Sequence, residues 1–177
     1  EDFMFKNTKL SYHEDTGFSK YYYYKLTFLL GLVLSALIFL PFVIKDSGYF
    51  IYYGDYNVQQ IPFHRHGVEM FRNGNFGWDW CTGLCSNFVG DYSFYMTTSP
   101  FFWIMCLFPS SWAPYMMAPM YTLKFAVAAL CAYAYLKRFV KKPIIAVVGA
   151  LMYAFSGFQI YNVFFNPFHD SVAFFPL

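Results

Sequence analysis

Residues 26–44 read LTFLLGLVLSALIFLPFVI, from Leu26 to Ile44: nineteen positions without a single charge. At 1.5 Å per residue a helix of this length approaches the hydrocarbon core of a bilayer, about 30 Å thick. The stretch therefore predicts a transmembrane helix. Its flanks agree. Tyr21–Tyr24 precede it, where an interfacial aromatic belt would sit, and Lys45-Asp46-Ser47-Gly48 stop it. It is too long for a signal-peptide core, and no small-residue cleavage site follows.

The rest of the composition extends this reading. Of 177 residues, 58% are hydrophobic, 25% are aromatic and 12% are charged. Soluble domains carry roughly 25% charged residues. The net charge of +2 and the absence of a basic-aromatic motif exclude nucleic acid as a partner. The chain reads as the amino-terminal portion of something longer, because it stops inside a new apolar run. Cys106 and Cys131 lie in apolar surroundings, as small packing residues do. Cys81-Thr-Gly-Leu-Cys85 has neither zinc nor redox spacing; a local disulfide is compatible with it but not required.

Beyond the first span, residues 46–100 form a long mixed loop. Gly54-Asp55 turns the chain, Pro62 suits the first turn of a helix, and Asn73-Gly74 suits its end. Between them apolar Val68, Met70 and Phe71 alternate with Arg65, His66, Glu69 and Arg72, which predicts a helix lying on the membrane surface. Residues 99–108 are apolar but too short to cross. Further spans are expected at about 112–136, with Lys124 as its one charge, and at 144–165. A short turn at 166–170 then leads into a fourth span starting near 171.

Charge asymmetry orients these elements. The lysines of residues 1–25 and the cluster Lys137, Arg138, Lys141, Lys142 belong in the cytoplasm by the positive-inside rule. The 46–100 loop has five acids against Arg65 and Arg72, and falls outside. An odd number of crossings must join it to the basic cluster, so 99–108 is an interfacial or re-entrant helix. Asp55 and the 166–170 turn with Asp170 then share the outer face.

Several motifs in order carry a resemblance: GDYNVQQIPF (54–63), WDWCTGLCSNFVGDYSFY (78–95), SPFFWIMCLFP (99–109), LKFAVAALCAYAYLKR (123–138) and FNPFHDSVAFFPL (165–177). From about Tyr52 to Leu177 the chain resembles the bacterial YfhO family of multi-span membrane proteins, which is similar to GT-C glycosyltransferases. The resemblance implies an all-α integral membrane fold, a GT-C-like helical bundle of three full transmembrane helices plus the start of a fourth. It also implies transfer of a sugar from a polyprenyl-phosphate donor to a cell-envelope acceptor such as a teichoic or lipoteichoic acid polymer. The layout implied, a first span, an acid early in a long outer loop, a basic residue in the second span and an acid at the outer start of the fourth, falls on Asp55, Lys124 and Asp170. Cys81-Thr-Gly-Leu-Cys85 departs from the glycine-rich pattern of the family, and no role carries over to His169.

Such a transfer needs a group to take the acceptor's proton and a group to hold the leaving phosphate. Asp55 is the candidate base; read from the residues alone it is equally a turn-former after Gly54. Lys124, a charge inside a span, is a candidate phosphate ligand, or else snorkels to the surface. Asp170 would share a divalent metal ion with Asp55 or position the acceptor, or else caps the fourth helix. Gln59, four residues after Asp55, and Arg65 are candidate sugar and phosphate contacts, with a solvated helix face as the plain alternative. His64 and His66 read as parts of an interfacial helix, and Asp79, Asn87 and Asp91 as structural turn residues. Two other functions fit these features: a transporter or flippase for a lipid-linked sugar, using the proline-broken 109–119 segment, and a non-catalytic envelope scaffold.

Overall fold

The computed structural model describes residues 21–177. The amino-terminal lysines used above to orient the chain, Lys6, Lys9 and Lys20, lie outside the described residues. Helix α1 (Tyr22–Lys45) is the span predicted at 26–44, with Pro41 inside its last turns. It ends as the sequence suggests: Gly48 takes φ +98° and its N–H reaches back to the Val43 carbonyl at 2.8 Å.

A π-helical turn (Tyr56–Gln60) then leads into α2 (Ile61–Arg72). A two-stranded hairpin follows, β1 (Trp78–Asp79) against β2 (Ser86–Asn87), antiparallel. Next come α3 (Phe88–Tyr92), a second π turn (Ser93–Thr97) and α4 (Pro100–Met105). At six residues α4 is far too short to cross a bilayer. Helix α5 (Ala113–Leu136) matches the second predicted span, and α6 (Pro143–Ala154) opens the third. Short α7 (Gly157–Tyr161), a 3₁₀ turn and α8 (Asn166–Phe174) complete the chain.

Three segments are long and apolar enough to span: Tyr22–Lys45, Ser110–Leu136 and Pro143–Phe164. This is an all-α membrane protein. The most apolar stretch of the second segment is 61% buried, against 22% and 28% in the first and third, so α5 is the central post. Small residues make that position available. Ala126, Ala128, Ala129 and Ala132 are buried on α5, and Gly31 of α1 sits so close that a Cβ would stand 2.9 Å from the Ala126 Cα. Lipid offers little hydrophobic drive for association, so close approach of backbones supplies the packing. The ends of α1 and α5 are pinned by aromatic pairs, Tyr49 with Tyr115 at one end and Tyr24 with Tyr133 at the other. Lys137 lies over the Tyr24 ring, so the basic 137–142 turn is at the end opposite the 46–112 segment.

Three expectations gain detail or change. The helix predicted on the membrane surface has one face docked on protein. His64, Gly67, Val68 and Met70 of α2 are buried, and a Cβ on Gly67 would meet Met96 at 2.6 Å. Amphipathicity shows that one face is covered, not by what. The third span is not continuous from 144 to 165. Helix α6 stops at Ala154, Ser156 is extended (ψ 156°), and Gly157 starts a new helix; a Ser-Gly pair is a usual cause of such a break. Finally, 166–170 is not a turn. Pro167 sits in the first turn of α8, so helix begins at Asn166 and Asp170 lies inside it rather than capping it.

Candidate functional site

Lys124 sits midway along α5, with 2% of its side chain exposed, so it does not snorkel. Burying an ammonium is costly unless charge and hydrogen bonds meet it. Here Nζ lies 2.6 Å from Asp170 Oδ1, donates to Asn166 Oδ1 at 2.6 Å, and is 3.5 Å from the Asn166 carbonyl. It also stands 5.2 Å from the centre of the Phe101 ring. Because an ammonium only donates, Asn166 must present its oxygen to Lys124 and its amide nitrogen elsewhere. That nitrogen donates to His64 Nε2 at 2.9 Å, and His64 Nδ1–H donates to the Gln60 carbonyl at 2.7 Å. The tautomer of His64 is thereby fixed.

The result is one buried polar line, Gln60–His64–Asn166–Lys124–Asp170, joining the π turn and α2 to α5 and α8. His64 is 2% exposed. Burial pushes its pKa down to about 4, against the raising pull of the Gln60 carbonyl and with help from the positive Lys124. It is therefore neutral at ordinary pH, as its acceptor role requires.

Asp170 is the end of the line that reaches open space. Its side chain is 16% exposed and borders a cavity of about 290 Å³. Thr98, Ser171, Phe94 and Phe174 also border it. Tyr121 secures the same region from α5: its hydroxyl donates to the Val163 carbonyl at 2.6 Å, and Tyr153 of α6 donates to the Val172 carbonyl of α8 at 2.7 Å.

Asp55 stands at the start of the π turn, half-buried, with no hydrogen bond or ion pair among the described residues. Its neighbour Tyr56 is fully buried, with its ring centre 6.0 Å from that of Tyr121, whose ring is 5.3 Å from His169. Burial holds the Tyr56 hydroxyl well above its ordinary pKa. Tyr53 stacks on Phe164, and Phe94 meets Phe168, so the Asp55 segment and α8 lie at the same end of the bundle. No direct contact joins Asp55 to Lys124 or Asp170.

The remaining candidates separate. Gln59 is half-buried and its Oε1 is shielded without a partner. The π turn inserts one extra residue, so the Ile61 N–H bonds to the Tyr56 carbonyl, i→i+5. Gln60, not Gln59, is the glutamine driven fully inside, and both its amide atoms lack partners. Arg65 is exposed and makes no ion pair among the described residues. As for a divalent metal ion, one carboxylate oxygen of Asp170, Oδ1, already faces Lys124. The described residues also bring no three His, Cys, Asp or Glu side chains into a group able to hold one.

His66 and Asp79 have a structural part. The pair meets at 2.5 Å, and Asp79 also accepts from Thr82 Oγ1 and the Cys81 N–H, tying the hairpin to α2. Burial works to raise the Asp79 pKa, but these hydrogen bonds and His66 outweigh it and leave it lowered. The four cysteines are free, with Cys81 exposed.

Sequence reasoning missed His64 and Asn166, treating one as interfacial and the other as a turn residue. One signal was present. His64 lies four residues after Gln60, on the face shared with Val68, so it belonged with the buried stripe rather than with Arg65 and Glu69.

Neither a curated protein nor a solved structure matches the chain. A family does, the bacterial membrane protein YfhO, over residues 19–177. The match takes in every element described above, from α1 through the buried line to α8, and the chain belongs to the YfhO family of bacterial membrane proteins.

Proposed function

We propose that the chain forms part of a membrane glycosyltransferase of GT-C type. It moves a sugar from a polyprenyl-phosphate donor to a cell-envelope acceptor, such as a teichoic or lipoteichoic acid polymer, on the extracytoplasmic face of the bacterial cytoplasmic membrane. The observation that carries this reading is a division of labour between two acids at one end of the bundle. Asp170 is neutralised by buried Lys124 and borders a cavity; Asp55 has no partner among the described residues. A carboxylate without a partner keeps its capacity to accept a proton.

In the reaction the acceptor hydroxyl attacks the anomeric carbon, the carbon–oxygen bond to phosphate breaks, and polyprenyl phosphate leaves with the electron pair. Asp55 takes the hydroxyl proton. Lys124 serves less as a phosphate ligand than as the anchor of Asp170, because its donors are already engaged. Arg65, exposed on α2, would supply positive charge for the phosphate in this reading. The basic 137–142 cluster supports a cytoplasmic position for the opposite end of the bundle.

The test is sugar transfer from a polyprenyl-phosphate donor by purified protein in lipid nanodiscs. Asp55→Asn should reduce turnover by roughly 10²–10⁴-fold, the usual contribution of a general base, with unfolding temperature unchanged. Full turnover in the variant removes Asp55 from the mechanism. The broken third span favours one other reading, a transporter of lipid-linked sugar, since interrupted helices commonly surround transported substrates. Movement of such a lipid across the nanodisc-equivalent bilayer of a vesicle, with no glycosyl product, would establish that reading instead.

A further inference from the structure

We propose that the cavity beside Asp170 is a subsite for one uncharged pyranose ring. This rests on the glycosyl-transfer reading and adds to it where a sugar sits and which residues, so far without a role, select it. The volume of about 290 Å³ lies near the lower end of small-molecule sites, roughly 300–1,000 Å³. One sugar ring fits that space.

The lining matches a ring with apolar faces and a hydroxyl edge. Phe94 and Phe174 supply aromatic surface, with two prolines, Pro100 and Pro167, beside them. Thr98, Ser171 and Asp170 supply the polar groups. Thr98 Oγ1 donates its proton to the Ser93 carbonyl at 2.9 Å, so toward the cavity it offers lone pairs. Ser171 makes no side-chain hydrogen bond among the described residues and can donate or accept. Asp170 spends Oδ1 on Lys124, leaving Oδ2 to accept. Two acceptors and one hydroxyl that serves either way suit sugar hydroxyls, which must donate at least once to be held.

Charge selects for a neutral ligand. Among the described residues Asp170 is the only charged one lining the cavity, and Lys124 behind it cancels its charge. A phosphate would face the carboxylate and could not reach Lys124, whose side chain is 2% exposed. A hydrocarbon tail would leave a carboxylate and two hydroxyls facing apolar matter, which is costly.

Saturation-transfer NMR on the purified protein in nanodiscs provides the test. The probes are methyl glucopyranoside, methyl galactopyranoside and methyl N-acetylglucosaminide, with inorganic phosphate and decanol as competitors. At least one pyranoside should bind saturably, and neither competitor should displace it. Ser171→Ala and Thr98→Val should each weaken it by about fivefold to tenfold, the effect of one hydrogen bond. Ser171→Ala removes no side-chain bond among the described residues, so its result stands even if Thr98→Val perturbs the π turn. Absence of binding by all three pyranosides, binding unchanged in both variants, or displacement by decanol overturns the proposal. Sugar transfer is measured in the same samples. Transfer with no pyranoside bound in the cavity removes the subsite alone, and cavity binding without transfer from any polyprenyl-phosphate donor removes the enzyme reading alone.

Discussion

Lys124 Nζ and Asp170 Oδ1 meet at 2.6 Å with 2% and 16% of their side chains exposed, forty-six positions apart in the sequence. This pair closes the bundle, because it joins the middle of the central helix α5 to α8 at the place where the third span has broken. The third partner, Asn166, sits one turn earlier on α8 and bonds both Lys124 and His64. The break after α6 therefore does not loosen this end of the bundle. The returning helix is anchored by charge rather than by a continuous apolar face.

Removing either partner leaves an uncompensated charge away from water, which costs about 3–5 kcal/mol. Lys124→Met and Asp170→Leu should each lower the unfolding temperature sharply in detergent. The double variant should recover most of that loss, since an apolar pair of similar volume is commonly neutral. Additive losses in the double variant would show that the two residues act separately.

His64 makes stability depend on pH. Its folded pKa of about 4 lies below the ordinary 6.5. Between these values the unfolded chain binds a proton that the folded chain does not, so stability falls as pH drops from about 6.5 to 4. Above 6.5 the effect is absent, because both states are neutral. The full loss is of the order of 3 kcal/mol by linkage. Unfolding midpoints measured across that range should slope for the native protein and flatten for His64→Gln, which cannot titrate.

The membrane architecture was legible because it follows from length and charge alone. The runs at 26–44 and 112–136 predict α1 and α5 closely, and the short 99–108 run yields the short helix α4. Lys124 was legible as a candidate because a charge in a span must be met by something. What meets it was not. Asn166 is polar, uncharged and next to a proline, a pattern shared with countless turns, and only the fold brings it to His64, 102 positions away. The π turn was equally hidden: nothing in Tyr56–Gln60 announces an extra residue, yet that residue decides that Gln60 rather than Gln59 is buried. Asp55 remained visible in the sequence because its turn is local, and among the described residues it has no partner.

The hairpin at 78–87 depends on one acid. Asp79 gathers His66, Thr82 Oγ1 and the Cys81 N–H while 2% exposed. Asp79→Ala removes the common acceptor and should cost roughly 1.5–3 kcal/mol, the range for hydrogen bonds to a charged group. The loss should be local. Amide exchange should accelerate across residues 78–87 with little change in α1 or α5. Since the Asp79 pKa is lowered, its contribution is present above the ordinary carboxylate range and fades as pH falls below it.

Two glycines give opposite expectations from the same substitution. Gly31 meets the backbone of α5, where a Cβ would lie 2.9 Å from the Ala126 Cα and 3.4 Å from the Ala129 Cβ. Backbone cannot turn aside as a side chain can, so Gly31→Ala must separate α1 from α5. Overpacking of this kind costs typically 1–3 kcal/mol. Gly157, at the start of α7, has nothing within 4 Å of a Cβ and needs no left-handed backbone. Gly157→Ala should therefore be neutral or slightly stabilising, by about 0.4–1 kcal/mol through the unfolded chain. Unfolding temperatures of the two variants should move in opposite directions or differ by several degrees. Equal shifts would mean that the α1–α5 contact is looser than its geometry indicates.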